Sequence, residues 1–156
     1  MNWDVIGAIG EIVGALAVVV SLVYLAQQIR IQNQEARNAA LHAVSVGYRD
    51  TLATIADGDI ADIIHKAISD YDSLTGAEQL KLIAVVGRLF RLWEETYWLH
   101  QAQRLEERMW RSMLSQFQGY MSVTPFAKVW ELRKDYFDPE FTSFVDSLDK
   151  QNYRFK

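Results

Sequence analysis

The stretch that decides the fold is residues 5–26, VIGAIGEIVGALAVVVSLVYLA, in which Glu11 is the only charged residue. A helix of 22 residues rises roughly 33 Å, which is enough to cross a hydrocarbon core of about 30 Å. The core helix of a small soluble domain rarely needs so long an apolar run. The sequence therefore predicts a transmembrane helix over residues 1–26, with the lipid bilayer as its surroundings.

One face of this predicted helix is small or polar, and the other is bulky and branched. At about 100° per residue, the small and polar side chains gather around Glu11. Glycines on one face let two helix backbones approach closely, and another helix recognises such a face where lipid does not. Because each chain has one predicted span, the simplest partner is another copy, and we expect a homo-oligomer. The face comprises Gly7, Gly10, Glu11, Gly14, Ala15, Val18, Ser21 and Leu22, with Gly10 and Ser21 at its edge.

Glu11 is the residue with the strongest functional indication. It lies six residues inside the apolar run, and an ionisable group at that depth usually faces protein or water rather than lipid. The functional interpretation is a ring of Glu11 carboxylates that lines a cation pathway or exchanges protons. In the structural interpretation, the carboxyl group is protonated or hydrogen-bonded and stabilises contacts between helices, or it is reached by water at a thinned edge of the bilayer. Both interpretations turn Glu11 away from lipid.

The flanks of the run predict its orientation. Residues 1–4 lack the basic region of a secretory signal, so we expect no cleavage. Asp4 precedes the run, whereas Arg30 and Arg37 follow it. The positive-inside rule then places the N-terminus outside and the C-terminal domain in the cytoplasm.

No helix breaker separates the span from residues 27–57, so we expect the helix to continue. Small or polar side chains stay near the direction of Glu11, which favours packing along the axis of an oligomer. Alanine is also the best helix former, and propensity alone explains part of the pattern. The residues on this continued face are Ile29, Asn33, Ala36, Ala40, Ala43 and Gly47.

The sequence predicts one cytoplasmic helical domain over residues 58–150 and a polar tail over residues 151–156. Gly58 suits a left-handed helix end, and Asp59 suits the next cap. Thr75 and Glu78 have the spacing of a capping box that opens a core helix reaching about residue 102. Later helix starts are predicted at the Thr-Pro and Asp-Pro pairs, Thr124-Pro125 and Asp138-Pro139. The predicted fold class is all-α: one transmembrane helix that continues into a helical bundle.

Composition excludes several functions. The chain has no cysteine, which rules out disulfides and zinc–thiolate sites, and its 16 basic and 20 acidic residues give a net charge of −4. Such a balance lacks the excess of basic residues that is typical of nucleic-acid-binding proteins. His42, His65 and His100 are far apart in sequence, so we expect no shared metal site and no cofactor. No convergent set of nucleophile, base and metal ligands appears, so we do not expect an enzyme.

Four segments together resemble a family of bacterial single-pass membrane proteins that has a glycine-rich span, a tryptophan-rich helical domain and no assigned activity. They are WDVIGAIGEIVGALAVVVSLVYLAQQIR, LFRLWEETYW, RMWRSMLSQF and TPFAKVWELRKDYFDPEFTSFVDSL. The final block is the most specific, through Trp130, Arg133, Phe137, Pro139, Glu140 and Phe141. The resemblance implies a location in the bacterial inner membrane and supplies no chemistry.

Two functional hypotheses follow. In the first, several copies form a cation-conducting pore that is lined by the Gly7/Glu11/Gly14 face and held together or gated by the cytoplasmic domain. In the second, the span is an oligomerising anchor, and the aromatic domain is a scaffold or partner-binding module. The second hypothesis predicts an exposed apolar patch around Trp98, Trp110 or Trp130.

Overall fold

The computed structural model describes residues 3–149, and every regular element within that range is helical. The prediction of an all-α chain is confirmed. Two short 3₁₀ turns lie at Tyr71–Ser73 and Lys134–Tyr136. The six helices are α1 Trp3–Ile55, α2 Gly58–Ser69, α3 Gly76–Gln101, α4 Glu107–Met121, α5 Thr124–Arg133 and α6 Pro139–Asp146.

The chain divides into two compact units, residues 1–39 and residues 40–156. The described part of the first unit is the N-terminal portion of α1, and its described side chains are all exposed. The second unit holds the end of α1 and helices α2 to α6 around one hydrophobic core. This unit begins inside residues 27–57, the segment that the sequence assigns to an extension of the span.

Helix α3 is the central helix of the second unit, as its wide apolar face predicts. The Thr75 hydroxyl accepts from the Glu78 amide and the Glu78 carboxylate accepts from the Thr75 amide, so the predicted capping box is confirmed. The helix ends at Gln101, close to the predicted end. Its buried residues are Leu82, Val85, Val86, Leu89, Phe90, Leu92, Trp93, Thr96 and Tyr97.

Large aromatic side chains join α3 to the helices that follow it. The Trp93 ring lies 4.3 Å from that of Phe117 on α4, and the Phe90 ring lies 5.0 Å from that of Trp130 on α5. Edge and offset contacts of this kind add about 0.5–1.5 kcal/mol per pair to the burial of the rings. Aromatic contacts therefore help to hold α3 against α4 and α5.

The C-terminal part of α1 belongs to this core. Val44 and Thr51 are fully buried, and the Thr51 hydroxyl donates to the Gly47 carbonyl. A Cβ atom on Gly47 would lie only 3.0 Å from Leu92 Cδ1. The sequence places Gly47 on the axis of an oligomer. The structure corrects this, because the missing side chain makes room for Leu92 of the same chain.

The start of α2 corrects a second prediction. Asp57, not Asp59, is the N-cap, and its carboxylate accepts from the Asp59 amide. Gly58 is the first helical residue and has no left-handed conformation. Asp59 instead forms an ion pair of 2.6 Å with Lys81 of α3. With two aspartates two residues apart, the sequence offers two caps, and the contact with Lys81 distinguishes them.

The two proline-containing starts behave differently. Asp138 caps α6 as predicted, because its carboxylate accepts from the amides of Glu140 and Phe141. Thr124 does not cap α5: the helix begins one residue earlier than predicted, with Val123 at the cap and no side-chain hydrogen bond. A proline tolerates either of the first helical positions, since neither amide has a partner within the helix.

Candidate functional site

The sequence-predicted site residues of the span all lie within the continuous helix α1. Residues three and four positions apart share one side of a helix, so they form one stripe around Glu11. We call this stripe the glycine face. It comprises Gly7, Gly10, Glu11, Gly14, Ala15, Val18, Ser21 and Leu22, and each of them is exposed.

The three glycines of this face meet no neighbour in the part of the chain that the structure describes. A Cβ atom built on Gly7, Gly10 or Gly14 would have nothing within 4 Å. No glycine of the described residues adopts a positive φ. Each glycine within a helix costs about 1 kcal/mol relative to alanine. Neither backbone conformation nor packing in this chain accounts for that cost, in contrast to Gly47.

Glu11 has no hydrogen-bond or ion-pair partner among residues 3–149. Ser21 differs, because its hydroxyl donates to the Ala17 carbonyl at 2.9 Å within the same helix. The side chain of Ser21 is therefore satisfied locally, as is common for serine in an apolar helix. The Glu11 carboxylate, in contrast, would have to form its hydrogen bonds with a partner outside the described chain or with water.

The predicted continuation of the face divides between the two units. Ile29, Asn33 and Ala36 are exposed, like the residues before them. Ala40 is the first residue of the second unit and is half-buried. Ala40 thus contacts its own domain in part, which reduces the surface that it could offer to another copy.

The first unit exposes more apolar surface than a soluble monomer normally does. None of the most apolar part of α1 is buried, and the helix is long and apolar enough to cross a membrane. Contiguous apolar surface of this extent marks contact with lipid or protein. The large exposed apolar side chains include Ile6, Ile9, Ile12, Val13, Leu16, Val18, Val19, Val20, Leu22, Val23, Leu25 and Ile29.

The tryptophans of the second unit do not form the predicted exposed patch. Trp110 is 7% exposed and Trp130 is 1% exposed, whereas Trp98 is 38% exposed. The buried Trp130 indole donates to the Asp146 carboxylate at 2.7 Å, and Trp110 stacks on His100 at 4.2 Å. The expectation of a patch is wrong for Trp110 and Trp130, because both rings fill the core.

The block that carries the family resemblance is a packing and capping unit. Trp130, Phe137 and Phe141 contact one another with ring centroids 5.4–6.0 Å apart. Pro139 is the first residue of α6, and the Glu140 carboxylate accepts from the Tyr97 hydroxyl at 2.9 Å. Burial, and then this hydrogen bond, raise the pKa of Tyr97 above its ordinary value. The residues of the block thus stabilise α6 on α3 and α5.

A cavity of about 360 Å³ lies between α3 and the 3₁₀ turn after α5. Its rim carries three arginines, Arg88, Arg91 and Arg133, and no acidic residue lines it. The Arg91 guanidinium donates to the Glu94 carboxylate and to the Tyr136 carbonyl. Sequence reasoning missed this feature. The three-residue spacing of Arg88 and Arg91 on α3 was visible, but Arg133 comes from a distant helix.

Metal chemistry has no candidate in the described part of the chain. Within residues 3–149, no group of three or more His, Cys, Asp or Glu side chains is arranged to hold a metal ion. The three histidines are not brought together: His42 and His65 are exposed, and His100 packs on Trp110.

The chain matches no protein-family model, no characterised protein and no solved structure. Its function is therefore argued from the two sites above, the glycine face of α1 and the arginine-rimmed cavity.

Proposed function

We propose that this chain is a single-pass membrane protein that assembles with copies of itself through the glycine face of α1. The observation that carries the proposal is a combination on one side of an exposed apolar helix: three glycines with open space above them, and a carboxylate that has no partner among residues 3–149. Within a bilayer, close backbone packing at small residues is a main source of helix association.

The opposite side of the same helix supports a lipid-facing role. It carries branched residues such as Ile12, Val13 and Val20, all exposed. In this arrangement the branched side contacts acyl chains and the glycine face contacts other copies. A helix buried in the core of a soluble domain would instead be covered by its own chain, and this part of α1 is not.

The position of Glu11 adds a function to the assembly. A charged side chain in a span costs several kcal/mol unless it faces protein or water. Oligomerisation through the glycine face collects one Glu11 from each copy around a common axis. Rings of carboxylates select cations in channels. We therefore propose that the assembly conducts cations along an axis at which Glu11 is the selective group.

A second candidate function is a membrane-anchored scaffold without conduction. It is favoured by apolar side chains that the second unit leaves exposed, among them Leu80, Trp98, Leu132 and Tyr136. They are spread over α3, α5 and the 3₁₀ turn rather than gathered around the tryptophans. In the scaffold, Glu11 cements the contacts between helices and no water-filled axis exists.

The proposed location is the bacterial inner membrane, with the N-terminus outside and residues 40–156 in the cytoplasm. Support for this orientation comes from Arg30 and Arg37, which follow the apolar run and are exposed. The family resemblance supports the bacterial setting.

Cation flux into liposomes tests the pore against the scaffold. The wild type is compared with Glu11→Gln and with Glu35→Gln, a matched change on the same helix but away from the glycine face. We expect flux for the wild type and for Glu35→Gln, and altered selectivity or loss of flux for Glu11→Gln. Absence of flux from an intact wild-type assembly would contradict the pore and favour the scaffold. Flux that is unchanged by Glu11→Gln would contradict the role of Glu11.

A further inference from the structure

We propose that the arginine-rimmed cavity of the second unit binds a small amphiphilic anion, a phosphate group attached to an apolar moiety. This site lies outside the glycine face and is independent of oligomerisation. Its residues come from α3 and from the segment around the 3₁₀ turn Lys134–Tyr136. A volume of about 360 Å³ lies at the lower end of the range of small-molecule sites.

Two of the three arginines at the rim have no close ion-pair partner among the described residues. Arg133 makes no ion pair with residues 3–149, and its guanidinium stacks over the Tyr136 ring at 4.7 Å. Arg88 makes two long contacts, 3.9 Å to the Asp50 carboxylate and 3.5 Å from Nη1 to the Thr54 hydroxyl. Both guanidinium groups therefore keep N–H groups that can donate to the oxygens of an anion. The planar guanidinium forms bidentate hydrogen bonds with phosphate and carboxylate oxygens.

The third arginine is held in place before any ligand binds. Arg91 forms a 2.6 Å ion pair with Glu94 and donates to the Tyr136 carbonyl at 2.7 Å. Its guanidinium also lies 4.2 Å from the centre of the Phe137 ring. These contacts fix α3 against the turn and keep the cavity open, so binding loses little conformational entropy.

Gly87 lines the cavity in the middle of α3. Glycine is among the least favourable residues for the interior of a helix. A Cβ atom on Gly87 would meet nothing within 4 Å, and its φ is not positive. The packing of the domain therefore does not require glycine here. A ligand that approaches the α3 backbone does require it.

The apolar part of the ligand follows from the remaining walls. Leu80, Ile83 and Ala84 line the cavity, and Leu80 is 70% exposed. An inorganic ion would leave these side chains uncovered. An anion with a ring or a short acyl chain would cover them while its charged group meets the arginines. The anion can come from a soluble organic phosphate or from a lipid headgroup, and both present the same chemistry to the site.

Isothermal titration calorimetry on the full chain in a neutral maltoside detergent tests the proposal. One arm uses phenyl phosphate and the other uses dihexanoyl phosphatidic acid below its micelle concentration, so that the tighter ligand identifies the source. We expect at least one probe to bind with a Kd below ~1 mM. We expect the affinity to fall tenfold or more in Gly87→Leu, which fills the cavity, and in Arg133→Gln, which removes an exposed donor.

Arg111→Gln is the matched control, because Arg111 lies on α4 and pairs with Glu107 outside the cavity. It should bind like the wild type. The helical circular dichroism spectrum of each variant shows whether it is folded. Arg133→Gln still tests the site if Gly87→Leu does not fold. Failure of both probes to bind the folded wild type would overturn the proposal. So would an affinity that Gly87→Leu and Arg133→Gln leave unchanged when both are folded.

Discussion

Gly47 of α1 faces Leu92 of α3 so closely that a Cβ atom on Gly47 would lie 3.0 Å from Leu92 Cδ1. Gly87, in the middle of α3, has no neighbour within 4 Å of the same position. Both glycines are helical and half-buried in the same unit. Packing therefore favours glycine at position 47, whereas it leaves room for a larger residue at position 87.

We expect Gly87→Ala to raise the free energy of unfolding by more than Gly47→Ala does. At Gly87 the substitution should stabilise the domain by about 0.5–1 kcal/mol, because alanine is the better helix former. At Gly47 this gain is reduced or reversed, because the Leu92 side chain must shift by a few tenths of an ångström to admit the Cβ atom. Thermal unfolding of the full chain in detergent measures both. Equal stabilisation by the two substitutions would contradict the close packing of α1 on α3.

The sequence could predict the helices of the second unit and much of its core, because these depend on local signals. The capping box at Thr75 and Glu78 and the cap at Asp138 are formed as predicted. The choice of Asp57 over Asp59 could not be predicted, since either aspartate can cap a helix and the pairing of Asp59 with Lys81 joins residues that are remote in sequence. The role of Gly47 likewise depends on Leu92, which is remote in sequence.

The two candidate sites also differ in how far the sequence could predict them. The glycine face could be derived from the sequence because a single helix fixes the relative directions of its side chains. The arginine-rimmed cavity could not, because Arg133 reaches Arg88 and Arg91 only after α5 has packed on α3. Sequence spacing also gave no measure of burial for Trp110 and Trp130, which the fold places in the core.

The Glu78 carboxylate gives the fold a predictable acid sensitivity. It accepts from the Lys66 ammonium at 2.9 and 3.0 Å and from the Thr75 amide at 2.7 Å. These hydrogen bonds, that of Lys66 first, lower the pKa of Glu78 from 4.5 to about 2. The lowered pKa stabilises the fold fully above pH 4.5, and this contribution is lost as the pH falls through about 2.

Thermal unfolding between pH 6 and about 2 checks this expectation. Glu78→Gln should lower the melting temperature at pH 6, and the difference from the wild type should shrink as the pH approaches about 2. Glu95→Gln is the control, an exposed glutamate on the same helix without an ion pair among residues 3–149. A difference between wild type and Glu78→Gln that stays constant across this range would argue against the predicted linkage.

The hydrogen bond from the Trp130 indole to Asp146 connects α5 to α6. Asp146→Ala leaves the buried indole N–H without its acceptor, which should destabilise the domain by about 1–3 kcal/mol. Asp146→Asn retains an oxygen acceptor and should cost less. Asp149→Ala, three residues further on and exposed, is the control. Chemical denaturation of the full chain compares the variants. A loss for Asp146→Ala no larger than for Asp149→Ala would show that the hydrogen bond is not needed.

Gly14 should be essential for self-association if the glycine face is the interface. In Gly14→Leu a bulky side chain would hold two backbones apart, and we expect association to weaken at least tenfold. Val13→Phe, on the opposite branched side of the same helix, adds volume as a control. Light scattering of the purified protein in detergent gives the mass of each assembly. Oligomers of undiminished stability in Gly14→Leu would place the interface elsewhere.

Disulfide crosslinking in native membranes tests the central claim most directly, because the chain has no cysteine of its own. Val18 lies on the glycine face and Val20 on the opposite side of the same helix, and both are exposed. After mild oxidation, we predict crosslinked dimers for Val18→Cys and none for Val20→Cys. Equal crosslinking of the two variants, or crosslinking of Val20→Cys alone, would contradict assembly through the face that carries Glu11.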